Sequence, residues 1–384
     1  MKKHKILNLI KMKIRLIKAK ILTGCLLFCF SNLMAQEKDM IDTALIPFWK
    51  TTTMFNESVL MISRNGELPV AKLLFAPDKI LSVRNCGLNI DYKEGTDWEY
   101  KDGQLRLMKD SRAAYMTDAQ LYPDSSKNAF PKKGGGFIFF MEGSFFHNKQ
   151  LAVTYTHGPD VWKGYKTNFQ GSNLPGVIHK LKGRTLLNIL LFGDSIAEGA
   201  NASGKNNAPP YLPSWGNLVV DGLRKYYKSD IAFTNTSVGG KDSRWGIRTI
   251  QENVIAHNPD LVIIAFGMND GTARMDPKLF KANIHGMINE IRQHNPMAEF
   301  ILVATMVPNP ESEFVGTQES FKKELTELTG RGIVLVDMTS VHKELLTHKS
   351  YQDMTGNDIN HPNDFLIRWY AQQILGLLIP ASAY

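Results

Sequence analysis

The second half of the chain alternates between continuously apolar runs and longer stretches with helical periodicity. The apolar runs cover residues 186–192, 231–234, 261–266, 300–305 and 333–336. Runs of this length without polar interruption are typical of strands buried on both faces of a parallel sheet. Helices are predicted over 215–227, 244–257, 277–294, 320–329 and about 363–378. This alternation predicts an α/β domain over residues 185–384, a doubly wound parallel sheet of five strands.

Residues 40–157 show a different pattern, in which short strand-like segments are separated by Gly, Asn, Asp and Lys. The segments are 58–62, 70–75, 79–83, 105–108, 137–140 and 151–156. Because no helical period of useful length occurs between them, we predict an all-β, jelly-roll-like sandwich domain. Residues 158–184 are rich in Gly, Pro, Asn and Lys, and are predicted to be a linker between the two domains.

The formal net charge of +8 belongs to the N-terminus. Residues 1–35 contain eight Lys or Arg and no acidic residue, which leaves 37 basic and 37 acidic residues in the rest of the chain. A nearly neutral remainder has no basic surface for nucleic acid, so a nucleic-acid partner is excluded. The basic start and the apolar stretch over 21–30 predict a signal peptide over 1–35.

This leader predicts export to the periplasm or to the medium. Its apolar stretch is too short to cross a bilayer, so no transmembrane segment is expected in the mature chain. Cys25 ends a Leu-Thr-Gly-Cys sequence that resembles a lipoprotein box. Lys18 and Lys20 interrupt the apolar run that such a box requires, and lipid anchoring at Cys25 is therefore the less favoured reading.

Chemically suggestive residues follow several of the predicted strands, where a doubly wound sheet forms its active site. They are Gly193-Asp194-Ser195, Gly239-Gly240, Gly267-Met268-Asn269-Asp270 and, before the last helix, Asp358-Ile359-Asn360-His361. Acyl transfer needs a nucleophile, a base, a group that orients the base, and donors for the oxyanion. Ser195 can be the nucleophile, and an Asp three residues before a His can place a carboxylate beside the imidazole.

These four blocks, in this order, resemble the blocks of the SGNH/GDSL hydrolase superfamily over about residues 185–380. The resemblance implies that Ser195 is the nucleophile, that His361 is the base and that Asp358 orients it. It also implies an oxyanion hole formed by the N–H groups of Ser195 and Gly240 and the side chain of Asn269. No His, Cys or Asp cluster has the spacing of a metal site, so we expect neither metal nor cofactor.

Segments 92–98 and 142–147 are similar to the sandwich domain that precedes the SGNH domain in certain exported bacterial carbohydrate esterases. This looser resemblance implies an O-acetyl group on a polysaccharide or oligosaccharide as the substrate. Trp215 and Trp245 follow the first two blocks and are candidate substrate-binding residues, because aromatic faces suit sugar rings. Two alternatives stay open: a lipid or thioester acyl hydrolase, and a carbohydrate-binding protein on a non-catalytic hydrolase scaffold.

Overall fold

Within the described residues, the first part of the chain forms three small sheets. The computed structural model describes residues 40–383. The strands of the first part are β1 (Thr53–Leu60), β2 (Ile62–Ser63), β3 (Val70–Ala71), β4 (Lys79–Asn85), β5 (Asp91–Tyr92), β6 (Trp98–Lys101), β7 (Gln104–Leu107), β8 (Met116–Thr117), β9 (Ala129–Pro131), β10 (Phe137–Phe139) and β11 (Gln150–Thr156). One sheet has the order β1-β11-β4-β5, another has the order β6-β7-β3-β2-β8, and β9 pairs with β10. The prediction of a β-rich first part is confirmed.

The second part contains the predicted five-stranded parallel sheet. Its strands are β12 (Leu187–Gly193), β13 (Ile231–Asn235), β14 (Leu261–Ala265), β15 (Glu299–Ala304) and β16 (Ile333–Asp337). They lie in the order β13-β12-β14-β15-β16, and every neighbouring pair is parallel. The chain leaves β12 in one direction and returns to its other side at β14, so the switch point lies between these two strands. Ligands bind beyond the carboxyl ends of the strands at such a point.

Helices cover both faces of this sheet. From Leu45 onward the helices are α1 (Asp118–Leu121), α2 (Pro175–Gly183), α3 (Ser195–Glu198), α4 (Trp215–Tyr227), α5 (Ser243–Arg248), α6 (Ile250–Asn253), α7 (Met268–Thr272), α8 (Pro277–His294), α9 (Phe321–Thr326), α10 (Met338–His348) and α11 (Asp364–Leu378). Single 3₁₀ turns cover Ile255–His257, Gln318–Ser320, Tyr351–Asp353 and Ala381–Ala383. Helix α4 packs against α11, and α8 packs against α5 and α9.

Helix α10 was not predicted, although its sequence carries the signal. Met338, Val341 and Leu345 are buried at the i, i+3 and i+7 positions of one helical face. Asp337 ends β16 and caps the helix by accepting a hydrogen bond from the N–H of Ser340. The helix starts directly after the strand, so no turn signal separates the two elements in the sequence.

Residues 158–184 do not form the predicted linker. They contain α2, whose first turn donates the N–H groups of Gly176 and Val177 to the buried carboxylate of Glu299. Before the helix, Trp162 is buried with its ring 4.7 Å from the ring of Trp369 on α11. This segment is therefore part of the core, and three of its Gly and Pro residues (Pro175, Gly176 and Gly183) belong to helix α2.

The described chain from Leu45 onward forms one compact unit. Gln150 on β11 donates from Nε2 to the carbonyls of Gln352 and Thr355, and the N–H of Leu60 donates to the Asp353 carboxylate. Such buried bonds fasten the β-rich part to the segment that precedes α11, where His361 lies. The predicted domains 40–157 and 185–384 are thus continuous in packing.

Some predictions concern residues beyond those that the structure describes. The predicted signal peptide over 1–35 and the less favoured lipid anchoring at Cys25 lie outside residues 40–383. Within residues 40–383, none of the helices combines the length and the hydrophobicity that crossing a membrane requires.

Candidate active site

Ser195 lies at the switch point of the parallel sheet, as the first residue of α3 directly after β12. Asp194 caps this helix by accepting from the N–H of Ile196 at 3.0 Å, and it also accepts from the N–H of Met268 at 3.3 Å. Burial raises the pKa of Asp194 to about 7. The Asp194 side chain therefore joins the ends of β12 and β14, and the serine beside it is held on a fixed turn.

His361 faces Ser195, with Nε2 2.9 Å from the serine Oγ. Asn357 holds the loop before α11 in shape, because its Oδ1 accepts from the backbone N–H groups of Ile359, Asn360 and His361. A nitrogen at this distance is within reach of the hydroxyl proton. The structure thus brings together the predicted nucleophile and the predicted base, although 166 positions separate them in the sequence.

Asn201 determines which nitrogen of His361 carries the proton. Its Nδ2 donates to the carbonyls of Gly143 at 2.9 Å and Gly356 at 3.1 Å, so its Oδ1 must be the atom that lies 2.8 Å from His361 Nδ1. An amide oxygen only accepts hydrogen bonds, and Nδ1 must therefore carry the hydrogen. Neutral His361 then presents the lone pair of Nε2 to Ser195.

Glu142 supplies a carboxylate on the same side of the imidazole. Its Oε2 lies 3.2 Å from His361 Nδ1, and its Oε1 accepts from Asn357 Nδ2 at 3.0 Å. Burial opposes ionisation of Glu142, but the hydrogen bond and the charge of His361, with further hydrogen bonds from Asn357 and Asn201, lower its pKa below the ordinary value. Glu142 belongs to the loop between β10 and β11, in the β-rich part of the chain.

Asp358 does not orient His361, and this prediction is wrong. The fully buried carboxyl accepts from Gln352 Nε2 at 3.0 Å and Asn309 Nδ2 at 3.3 Å, and its Oδ2 has no hydrogen-bond partner. Asp358 has a φ of 66°, in the left-handed region, and its carboxyl makes no hydrogen bond to either nitrogen of His361. Burial raises the pKa of this carboxyl well above its ordinary value, the opposite of what an imidazolium partner would produce.

We predict that Asp358→Asn leaves kcat/KM within about threefold of the wild-type value. An asparagine keeps the oxygen that accepts from Gln352 and Asn309, and the lost charge faces neither nitrogen of His361. In serine proteases, by contrast, the same change to the aspartate that orients the histidine costs about 10⁴ in kcat. Steady-state hydrolysis of a chromogenic acetate by the purified variant separates these two values, and a loss above about a hundredfold would restore the sequence-based assignment.

Besides the Ser195 N–H, the predicted oxyanion donors are Gly240 and Asn269, and the segments that carry them contact each other. Asn269, in the first turn of α7, donates from Nδ2 to the carbonyl of Lys241 at 2.9 Å. The N–H of Gly239 is engaged by Glu198 Oε2 at 2.8 Å, while the neighbouring Gly240 has a φ of 75°. With the N–H of Gly239 occupied, Gly240 stays the better candidate donor. The roles of Gly240, Asn269 and the Ser195 N–H remain predictions.

Trp215 is not available to bind substrate, contrary to prediction. It is completely buried, its Nε1 donates to the carbonyl of Ile196, and its ring stacks on Tyr370. The indole of Trp215 therefore packs inside the protein and is hydrogen-bonded to α3. Trp245 is partly buried and packs on the rings of Phe192 and Phe266, so most of its surface also belongs to the core.

A polar cavity of about 550 Å³ opens beside the C-terminal end of α3. Its lining residues are Glu198, Gly204, Lys205, Pro213, Ser214, Asn217, Phe233 and Asn235. Glu198 and Lys205 form an ion pair of 2.9 Å at this cavity. Glu198 also holds the N–H of Gly239, where an added Cβ would lie 3.7 Å from the Cβ of Ser195, so the cavity is close to the nucleophile.

Sequence reasoning did not assign a role to Asn201 or Glu142. Glu142 stood in a segment noted only for its similarity to other sandwich domains, and 219 positions separate it from His361. Asn201 has a φ of 61° and follows α3, in a loop with no strand or helix pattern. No spacing rule connects these residues to His361, because folding alone brings the two loops together. Among residues 40–383, no group of three or more His, Cys, Asp or Glu side chains is placed to hold a metal ion.

Comparison with known proteins finds relatives for the second part of the chain. Residues 191–365 match the model of the GDSL-like Lipase/Acylhydrolase family. An arylesterase of Vibrio mimicus is 29% identical over 120 residues, which are 31% of this chain and 55% of the relative. The uncharacterized lipoprotein YqeF of Bacillus subtilis (strain 168) is 26% identical over 119 residues, 29% of this chain and 46% of the relative. The chain thus spans about half the length of these curated relatives.

Two solved structures are also similar. A two-domain esterase active on acetylated mannans is 22% identical, with a TM-score of 0.46, and the match covers 55% of this chain and 54% of that one. An acetylxylan esterase from Geobacillus stearothermophilus is 21% identical, with a TM-score of 0.41 over 49% of this chain and 92% of that one.

Proposed function

We propose, from the match of residues 191–365 to the GDSL-like Lipase/Acylhydrolase family, that the protein is a serine esterase that removes O-acetyl groups from carbohydrate. The observation that carries the proposal is the 2.9 Å contact between Ser195 Oγ and His361 Nε2. Asn201 supports it by fixing the tautomer in which Nε2 accepts a proton. A carbohydrate-binding protein on a non-catalytic scaffold would have no need for this arrangement.

In the first half of the reaction, Ser195 Oγ adds to the acyl carbon while its proton passes to His361 Nε2. The bond from the acyl carbon to the sugar oxygen then breaks, and the sugar oxygen takes the proton from His361. An acetyl ester of Ser195 remains. Water next loses a proton to His361 and adds to the same carbon, after which Ser195 leaves with that proton and acetate is released.

Negative charge develops on the carbonyl oxygen in both halves of this reaction. The N–H of Ser195 at the start of α3, the N–H of Gly240 and the side chain of Asn269 are the proposed donors to that oxygen. Asn269 Nδ2 has two hydrogens and uses one of them on Lys241, which leaves the other for the oxyanion. Donors held in place by the fold stabilise the transition state without having to reorganise.

The polar cavity beside α3 favours carbohydrate over lipid as the substrate class. Its wall includes the amide of Asn217 and the charges of Glu198 and Lys205. A long acyl chain would desolvate these groups without replacing their hydrogen bonds, whereas sugar hydroxyls can replace them. The signal peptide predicted over residues 1–35 supports an exported location, where the enzyme would meet such polysaccharides.

A substrate panel tests this proposal. We expect acetate release from acetylated polysaccharides and, on chromogenic esters, a steep fall in kcat/KM as the acyl chain lengthens from two to eight carbons. The reason is that the cavity near the nucleophile carries the charges of Glu198 and Lys205, which a longer acyl chain would desolvate. Equal or rising activity on longer chains would favour the alternative, a lipid or thioester acyl hydrolase of the same superfamily.

A further inference from the structure

We propose that Glu142, a residue of the β-rich first part of the chain, is the carboxylate that positions and stabilises His361 during catalysis. This inference rests on the proposed function, because it assigns a role within the same reaction. It also makes the β-rich part a component of the catalytic machinery, in addition to any contact that it makes with polymer.

The geometry leaves Glu142 as the carboxylate beside Nδ1 of His361. Its Oε2 lies 3.2 Å from that nitrogen, whereas Asp358 is bonded to Gln352 and Asn309. The Nδ1 hydrogen is thus shared between the Oδ1 of Asn201 at 2.8 Å and the carboxylate of Glu142. The amide sets the direction of the ring, and the carboxylate supplies the negative charge that an imidazolium needs.

Glu142 is held in this position from both sides. Asn357 Nδ2 donates to its Oε1 at 3.0 Å, and Asn357 also caps the loop that carries His361. The carbonyl of the next residue, Gly143, accepts from Asn201 Nδ2. Gly143 has a φ of 78°, a left-handed conformation that glycine adopts without strain. The loop after β10 is therefore hydrogen-bonded to Asn357 and to Asn201, and both of these residues contact His361.

Charge is the property through which Glu142 acts. When Ser195 transfers its proton, His361 becomes a cation, and a negative charge close to Nδ1 lowers the free energy of that state. The side chain of Glu142 is 49% exposed, so solvent screens part of this interaction. We therefore expect a smaller contribution than that of a buried aspartate in a serine protease triad.

Glu142→Gln tests the role of the charge, because it removes the charge and keeps the shape. We expect kcat/KM at pH 7 to fall by about tenfold to a hundredfold, mostly in kcat. The acid limb of the pH profile should also move to lower pH by about half a unit or more, because loss of the negative charge makes protonation of His361 less favourable. Glu142→Asp should recover part of the activity and return the acid limb toward its wild-type position.

Glu311→Gln is the matched control. Glu311 is a carboxylate of similar exposure, 45%, and it also joins the two parts of the chain, through Tyr122 and Lys132. It touches neither Ser195 nor His361, so its variant should keep the wild-type activity and pH profile. Thermal unfolding of both variants shows whether either change acts through stability.

The outcomes separate this inference from the proposed function. A wild-type rate and a wild-type acid limb in Glu142→Gln would overturn the role of Glu142. If Ser195→Ala at the same time lost all turnover, the proposed serine mechanism would still stand. Equal losses in Glu142→Gln and Glu311→Gln with an unmoved acid limb would reveal a structural role and would also overturn it. A loss of activity in Glu142→Gln but not in Glu311→Gln, together with an acid limb shifted to lower pH, supports the proposed role of Glu142.

Discussion

Replacing Ser195 by alanine should lower kcat/KM for a chromogenic acetate by about 10⁴-fold or more while the protein stays folded. The serine forms the covalent bond to the acyl group, and no other side chain in the described chain lies in hydrogen-bonding contact with His361 Nε2. The change deletes one oxygen from a side chain that is 8% exposed, and it leaves the backbone of α3 and the Asp194 cap intact. Steady-state kinetics and circular dichroism measure the two halves of this expectation.

Ser237→Ala is the control for the serine substitution. Ser237 follows β13 at the same edge of the sheet, is also 8% exposed, and makes only a long hydrogen bond of 3.5 Å from Oγ. It should retain nearly all of the activity. Substantial turnover by Ser195→Ala, with a loss in Ser237→Ala instead, would show that the nucleophile has been assigned to the wrong serine.

The second large effect is expected for Asn269→Ala, with a loss of about 10²–10³ in kcat and little change in KM. The amide is proposed to bind the carbonyl oxygen only as charge develops on it, so its removal affects the transition state more than the bound substrate. The substitution also removes the bond from Asn269 Nδ2 to Lys241. Kinetics on an acetyl ester, analysed separately for kcat and KM, measure the effect.

Asn295→Ala shows what the loss of an amide-to-carbonyl bond does by itself. Asn295 follows α8 and donates from Nδ2 to the carbonyl of Pro259 at 2.9 Å, at the opposite edge of the sheet. We expect a small loss of stability and normal kcat. If Asn269→Ala raised KM and left kcat unchanged, Asn269 would be a substrate-binding residue and the proposed oxyanion hole would need another donor.

The parallel sheet was predictable because each of its strands is a continuous apolar run. Helices α4 and α8 have the predicted bounds, since buried apolar residues at helical spacing mark each of them and Asp276 caps α8. The sheet then places the residues after β12 and β14 beside each other, and Ser195 and Asn269 could be selected on that ground. Local pattern and fold class were enough to select these positions, and the role of Asn269 stays a prediction.

The environment of His361 could not be predicted in the same way. A spacing of three residues allows Asp358 to reach His361, but it does not determine which side chains the carboxyl contacts, and these are Gln352 and Asn309. The groups that do contact Nδ1 come from the loops after β10 and α3. Such pairings depend on how the β-rich part packs on the sheet, and a single sequence carries no local signal for them.

Trp215 illustrates a related limit. Its position soon after the Ser195 motif suggested a sugar-binding surface, yet it lies on the buried face of α4 with Leu218 and Val219. Period alone indicates which residues share a face of a helix, but not that this face points away from the active-site cleft. The role of Trp215 could therefore be decided only from the way helix α4 packs in the structure.

The central claim, that Ser195 carries the acyl group, is tested most directly by trapping that group. Acid quenching of the enzyme during turnover of an acetyl ester, followed by peptide mass spectrometry, should show one acetyl group on the peptide that contains Ser195. A fluorophosphonate should label the same residue, and neither adduct should form on Ser195→Ala. An adduct on a different residue, or full labelling of Ser195→Ala, would contradict the account.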